Sequence, residues 1–338
     1  MQDATARSGL SEIGSILEPH RRALQLHCYH MTGSLRDAED LVQETLLRAW
    51  RKYDSFKGSS SLGTWLYRIA TNVCLDALKK RRQPRRLRPV GPAADPRAPV
   101  GGPTEEANWL EPYPDSELVD AGQDTEQRVL QREDISLAFL TVLQMLPPRQ
   151  RAVFILSEVL EWRSSEVAGL LETSVSAVES ALHRARATLA RNRAPSGENV
   201  ARADGDDATM NALLRRFVNA WEANDIDGLV ALLHQDAILS MPPFSSWYQG
   251  RESVRGILSL HPFGWGRRAG WRLSRTRANG QPAFVLYRAD QPGGAYNAFG
   301  LLVLSFAPAA DSVSALTVFQ DKALVTRFGL PLVETFPR

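Results

Sequence analysis

Seven cations, Lys79, Lys80, Arg81, Arg82, Arg85, Arg86 and Arg88, fall within a stretch that holds no acid. Between Thr104 and Gln127 the reverse holds, with eight acids and no base. A run of one sign is ordinarily a solvated face. This basic run ends a helical pattern that carries aromatics, which is the chemistry of phosphate and base binding. The whole chain is balanced, 40 basic residues against 38 acidic and a net charge of +2, so only the distribution of charge points to a partner. Cys28 and Cys74 are the two cysteines. They cannot build a disulfide framework or a zinc cluster, and both read as buried free thiols inside helices in a reducing compartment. His183 has no second ligand at useful spacing, so solvent or a phosphate suits it better than a metal.

A second constellation lies further on. Leu146-Pro147-Pro148-Arg149-Gln150-Arg151 opens a helix, with Pro148 acceptable in its first turn. Ser164 to Leu171 forms a short helix, Thr173-Ser174 a tight break, and Val175 to about Ala190 a longer helix with Ser174 as its N-cap. Val178, Leu182, Ala185 and Leu189 make the inward stripe. Ser176, Ala177, Glu179, Ser180, His183, Arg184 and Arg186 face out, with a size and polarity that fit a major groove. A plain three-helix bundle would show the same periodicity.

The elements that must position these groups follow from composition. Residues from about 10 to 83 read as helix throughout, with no proline between Pro19 and Pro84. Residues 84 to 124 hold eight prolines and four glycines, which disfavours helix because each proline removes a donor and restricts its neighbour. Helical periodicity returns from about 125 to 192, and Ala194 to Asp207 reads as a linker. Beyond it, short helices (Ala208–Asn224, Ile226–His234, Arg251–Ser259) mix with strands. Asn279-Gly280 joins Trp271–Arg277 to Ala283–Arg288 in a hairpin, and Tyr296–Ala307 pairs with Val313–Gln320. This order predicts an α+β domain with a curved antiparallel sheet. No apolar run approaches the roughly 20 residues that span a bilayer, and Met1–Gly9 lacks the apolar core of a signal peptide. The expected setting is the cytoplasm, without a membrane.

Asp37-Ala38-Glu39-Asp40-Leu41-Val42-Gln43-Glu44-Thr45-Leu46-Leu47-Arg48-Ala49-Trp50 closely resembles the signature of sigma-70-type initiation factors of bacterial RNA polymerase. Specifically it resembles the extracytoplasmic-function group, which keeps only sigma domains two and four. Thr64 to Asp76 resembles the melting and −10 region of the same domain, and the helix-turn-helix is similar to sigma domain four, which reads the −35 element. Asn108-Trp109-Leu110-Glu111-Pro112-Tyr113-Pro114-Asp115 resembles the linker motif of sigma factors with a fused SnoaL-like domain. Residues 208–338 resemble that domain, a cone-shaped α+β fold shared with polyketide cyclases and ketosteroid isomerase, through helix order, Phe217…Trp221, Asp225…Leu229 and the strand pattern. The fold class implied is two all-α domains followed by an α+β domain. Sigma domain two spans 10–84, a Pro-rich then acidic linker 85–127, sigma domain four 128–193, a second linker 194–207, and the SnoaL-like domain 208–338.

The resemblance gives the residues roles. Ser34 and Asp37 have capping-box spacing, and Val42, Leu46, Ala49 and Trp50 turn inward. Asp37, Asp40, Gln43, Glu44 and Leu47 would then dock on the clamp helices of the polymerase largest subunit. Phe56 to Ser61 resembles the loop that captures a flipped −10 base. Lys57, Ser59, Ser60, Ser61, Trp65 and Tyr67 would melt and hold single strand, although Trp65 and Tyr67 read equally well as core. Asn72, Asp76, Lys79, Arg81 and Arg82 would face duplex phosphates. Ser174, Ser176, Ala177, Ser180, His183, Arg184 and Arg186 would read the −35 element. There the wider group carries Lys and Arg where this chain has Glu179 and Ala181. Trp109, Leu110, Glu111, Pro112, Tyr113, Pro114 and Asp115 would form a regulatory linker motif.

Relatives of the last domain use Asp or His as a general base, and Asp225, His234, Asp236 and Tyr248 are the local candidates. They lack a paired carboxylate or a His–Asp set, and His234 and Asp236 read as a helix end and a turn. Trp221, Met241, Phe244, Trp247, Phe284 and Phe299 would line an apolar pocket for an unidentified small molecule, or serve as core. The expectation is a non-enzymatic subunit without cofactor or metal that recruits core polymerase to promoter DNA, opens the duplex and is regulated in cis by its C-terminal domain. The rival reading is a small-molecule enzyme or sensor that uses sigma-like helices only to bind DNA.

Overall fold

Two of the three long helices in the first eighty residues start at serine caps, and the other stops at a glycine. In the computed structural model, which describes residues 13–58, 60–81, 84–88, 91–103, 109–119, 135–192, 208–265, 270–291, 294–307, 309 and 311–336, α1 (Arg21–Thr32) ends where Gly33 takes a left-handed φ of 69°. α2 (Leu35–Lys52) starts at Ser34, whose Oγ accepts from Asp37 N at 3.1 Å. α3 (Leu62–Lys79) starts at Ser61, whose Oγ accepts from Thr64 N at 3.1 Å. Each cap satisfies an amide that the first helical turn leaves unpaired. Leu24, Cys28, Met31, Leu35, Val42, Leu66, Ala70 and Cys74 are buried between these helices. The two cysteines are free thiols, and a hydrogen bond with Cys28, together with burial, pushes the Cys74 thiol up.

α1 to α3 share one compact unit with a second helical group and with Leu110–Pro112. That group comprises α4 (Leu137–Gln144), α5 (Pro148–Phe154), a π-turn (Ile155–Val159), α6 (Ser164–Leu170) and α7 (Val175–Asn192). Where the groups meet, the carbonyls at the end of α1 each find a donor. Tyr29 O accepts from Gly33 N at 2.6 Å, His30 O from Gln144 Nε2 at 3.0 Å, Met31 O from Arg151 Nη1, and Thr32 O from Arg81 Nη1 at 3.3 Å. Arg151 is 3% exposed. Its other bonds go to Gln144 Oε1 at 2.5 Å, Gln144 O at 2.7 Å and Leu146 O at 3.0 Å. The buried cation thus lies against the C-terminal ends of α1 and α4, where the helix dipoles concentrate partial negative charge. Burial, with the nearby Arg81 charge, lowers its pKa.

The second compact unit takes in Arg86–Trp109, Tyr113–Ser116 and the chain beyond Ala194. Its helices are α8 (Ala208–Glu222), α9 (Ile226–Ala231), α10 (Arg251–Leu260) and α11 (Lys322–Arg327). Its strands are β1 (Leu233–Ser240), β2 (Trp247–Gln249), β3 (Gly270–Ala278), β4 (Gln281–Ala289), β5 (Tyr296–Phe306), β6 (Val313–Phe319) and β7 (Val333–Glu334), in sheet order β2-β1-β6-β5-β4-β3 with β7 on β5. The two-residue turn forms as expected, with positive φ at Asn279 and Gly280. One expectation fails: β1 pairs with β6 in parallel, so the sheet is mixed. The reason is that the chain after α9 enters a strand where the periodicity suggested helix, and His234 and Asp236 therefore lie on β1.

Phe217 and Trp221 of α8, Leu229 of α9 and Val254 and Ile257 of α10 pack on Phe284, Leu302 and Leu316 of one sheet face. β4 is nonetheless buried on both faces. Tyr287 on the far side donates to Pro331 O at 2.8 Å and packs on Phe336 at 5.6 Å.

Candidate functional site

Four groups of residues carry the expected chemistry. The first is the outer face of α2, where Asp40, Gln43 and Leu47 are exposed. Trp50 joins them at 40% exposure, contrary to its expected inward position. Trp50 lies three residues after Leu47 and seven after Gln43, so the helical period puts it on their outer face and not in the buried stripe of Val42, Thr45 and Ala49. A groove of about 330 Å³ lies beside this face, lined by Leu17, Gln43, Leu46, Leu47 and Trp50 among others. Glu44 is half-buried and pairs with Arg48 at 2.6 Å.

Asp37 stands apart from that face. It holds Arg81 and, at 2.9 Å, Arg85 in an ion-paired cluster. Burial alone would raise its carboxyl, but the two guanidinium groups outweigh it and keep the pKa below the ordinary carboxylate value. Asp37 and Arg81, expected at two different interfaces, therefore meet each other and fix the end of α3 against the start of α2.

The second group surrounds α3. Lys57 and Ser60 are exposed in the loop before it, and Ser61 is its cap. Ser59 and Arg82 lie outside the described residues. Trp65 is half-buried on Phe56, with ring centroids 5.1 Å apart. The Tyr67 ring lies between His27 at 5.1 Å and Trp162 at 5.5 Å, in edge-on contacts, and burial raises its hydroxyl pKa. Arg68 donates to Gly169 O at 2.9 Å. Asn72, Asp76 and Lys79 form an exposed line, with Lys79 and Asp76 paired at 2.9 Å.

The third group is α7. Ser174 Oγ accepts from Ala177 N at 3.2 Å, and Val178, Leu182 and Ala185 are buried. Ser174, Ser176, Ala177, Ser180, His183, Arg184 and Arg186 are all exposed along one side. Arg186 pairs with Glu158 of the π-turn at 2.5 Å, a partner that periodicity did not reveal.

The fourth group is the aromatic linker motif. Leu110 is buried, Glu111 N donates to Gly33 O at 3.0 Å, and the Glu111 carboxylate accepts from Arg36 N at 3.1 Å in the first turn of α2. In the other unit, Trp109 bridges to Arg86 and Pro114 to Ala278. Tyr113 is buried, and its backbone N–H and C=O bond to Asn279 at 2.8 and 3.0 Å. The Asp115 carboxylate accepts from Gly280 N at 2.8 Å and pairs with Arg277 at 3.1 Å. Burial outweighs these partners and raises its pKa. Pro112 is buried as well.

The acid–base candidates do not converge. Asp225 caps α9 by accepting from Gly228 N at 2.9 Å, Asp236 is exposed, and Tyr248 is buried in the core. The aromatics expected to line one pocket also divide. Trp221 and Phe284 are core, with Met241 and Phe299 packed against it, whereas Trp247 joins Ile238 and Ala315 on the opposite sheet face. Among the described residues no cluster of His, Cys, Asp and Glu could hold a metal, and no helix is long and apolar enough to cross a membrane.

Residues 16–83 match the family described as Sigma-70 region 2, residues 136–189 that described as Sigma-70, region 4, and residues 214–309 the SnoaL-like domain. The chain is 47% identical over 317 residues to the ECF RNA polymerase sigma factor SigG of Mycobacterium tuberculosis, covering 93% of this chain and 82% of that one. It is 31% identical over 223 residues to SigJ of the same species, covering 66% and 62%. The crystal structure of M. tuberculosis SigJ matches with a TM-score of 0.57 at 25% identity, covering 94% of this chain and 99% of that one.

Proposed function

The chain belongs to the extracytoplasmic-function sigma factors of RNA polymerase, and we propose that it docks core enzyme through the outer face of α2 and reads the −35 element with α7. Opening of the −10 region falls to the loop 56–61 and the exposed line of α3. The observation that carries this reading is that Asp40, Gln43, Leu47 and Trp50 form an exposed acidic and apolar face beside a groove, while the polar side of α7 is exposed on another helix. An exposed carboxylate beside apolar anchors and a groove suits a basic helical partner, the clamp helices of the largest subunit. Tyr67 is engaged by Trp162 in this form, so its part in melting requires that contact to part first.

The C-terminal domain is read as a non-catalytic regulator in cis, because its candidate bases cap a helix, face solvent or sit in core, without a shared site. Asp40→Arg tests the docking assignment. It is expected to weaken capture of core polymerase by about tenfold or more while helix content stays the same. Unchanged capture removes α2 as the docking face. In vitro transcription with core enzyme separates this reading from a DNA-binding sensor that never meets polymerase.

A further inference from the structure

The Pro-rich stretch that leaves the basic cluster is seated on the C-terminal domain along a defined track. The Arg88 guanidinium lies over the Trp247 ring, 4.8 Å from its centroid. Ala94 N donates to Trp247 O at 2.8 Å, and Gly101 N to Ser246 Oγ at 2.8 Å. Ser245 N donates to Gly102 O at 3.4 Å, and Pro103 bridges antiparallel to Phe244. Ala93 packs on the Trp247 side of the sheet, while Ala94 and Val100 pack against the main core on the other side. The segment therefore passes round the edge that β2 presents. Pro96 rests on α10 at Gly256, where a Cβ would come within 2.9 Å of the proline ring.

Two features set this track apart from ordinary core. Not one residue from Gly91 to Pro103 is buried, so the segment can leave without opening the domain. Four prolines, Pro92, Pro96, Pro99 and Pro103, stiffen it, and Asp95 closes a turn in it by accepting from Ala98 N at 3.0 Å, so a segment already restricted in shape loses little entropy on seating against an aromatic edge. We propose that the β2–α10 edge is a peptide-binding seat whose resident ligand is Arg88 and residues 91–103 of the same chain, and that seating and release of this strap set how much linker is free between the two DNA-reading regions. Released, residues 88–103 reach up to about 55 Å when fully extended, whereas one base pair of promoter spacing is only about 3.4 Å. The length control rests on the sigma-factor reading; the seat itself does not.

The test uses the full chain. Hydrogen exchange is followed at Ala94 and Gly101, together with trypsin cleavage after the exposed Arg97. In the parent protein both amides are expected to exchange at least on the order of tenfold more slowly than free chain. Gly256→Val fills the space under Pro96 and should abolish that protection and speed cleavage. Ser246→Ala should raise exchange at Gly101 while β4 and β5 stay protected, which shows the domain still folded. Absence of protection in the parent, or protection unchanged in Gly256→Val, overturns the seat. Transcription with core polymerase is then measured on promoters whose −10 and −35 elements are separated by different spacings. A broader spacing profile for Gly256→Val supports length control, and an unchanged profile with the strap released overturns it. If neither protein transcribes from any promoter, the sigma-factor reading and the length control fall together, and exchange still decides the seat.

Discussion

The arginines of the two helical groups are used in opposite ways. In the first group and at its boundary with the second, Arg81, Arg85 and Arg151 turn inward, to Asp37 and to the carbonyl ends of α1 and α4. On α7, Arg184 and Arg186 face outward from an apolar stripe. Cations near a helix C-terminus or a half-buried carboxylate lose part of their hydration and regain it as fixed hydrogen bonds. Those along an exposed helix keep their water until a phosphate displaces it. A basic residue in a DNA-binding chain is therefore scaffold or contact according to what its own backbone offers it.

The largest test of that contrast is Arg151→Met against Arg184→Ala. Removing Arg151 leaves the carbonyls of Met31, Gln144 and Leu146 without their buried donor. Unfolding by denaturant is expected to show a loss of about 3–5 kcal/mol, the usual result of breaking a buried charged network. Arg184→Ala should change stability by no more than about 0.5 kcal/mol, yet weaken −35 binding and reduce its salt slope by about one. Equal unfolding midpoints for the two variants would erase the distinction.

Acid tests the same comparison through the buried rings of the first group. His27 and His30 are buried in the first group, and burial pushes their pKa values down to about 3 and about 4, with the His30 charge adding to the effect at His27. An unfolded histidine takes up its proton near pH 6.5, while these two resist it. Their contribution to stability is whole above pH 6.5 and declines as pH falls from there toward about 4, by at most about 1.4 kcal/mol per pH unit for each ring. Asp37 acts lower down: with its pKa depressed by Arg85 and Arg81, its stabilisation is whole above the ordinary carboxylate pKa and is lost as pH falls through its own lower value. Thermal melts between pH 7 and 4 should fall with a slope that His30→Gln reduces. A flat profile would place these rings in contact with water.

Much of this was legible from the sequence where a local rule governed it. Ser34 and Ser174 act as caps, and Asn279-Gly280 turns the hairpin, because those residue types satisfy needs of their immediate neighbours. What escaped depends on partners far along the chain. Asp37 reads as an exposed helix-start acid until Arg81 and Arg85 arrive from the other end of the group. Tyr67 reads equally as a stacking platform or as core until Trp162 packs beside it. The parallel pairing of β1 with β6 joins residues about eighty apart, and no periodicity within either segment encodes it. The groove beside α2 was approached through Leu47, but the exposure of Trp50 was hidden behind its apolar type, although its spacing from Gln43 and Leu47 puts it on their face.

The smallest expected effect concerns Glu158 and Arg186. Their contact at 2.5 Å joins the π-turn to the outer side of α7, but the arginine side chain is 60% exposed and the carboxylate 34%. Such a surface pair contributes at most about 1 kcal/mol and is screened by salt. Its consequence for binding is larger than for folding, because the carboxylate holds the cation that a phosphate would otherwise take and adds like charge beside the DNA. Glu158→Gln should therefore leave the unfolding midpoint almost unchanged. It should tighten binding to a −35 duplex by about twofold to fivefold at low salt, with the gain fading as salt screens both charges. A titration by fluorescence anisotropy at two ionic strengths resolves it. Weaker binding by the variant would mean that Glu158 aims Arg186 at the backbone instead of competing for it, and the outward cations of α7 would then depend on scaffold as the inward ones do.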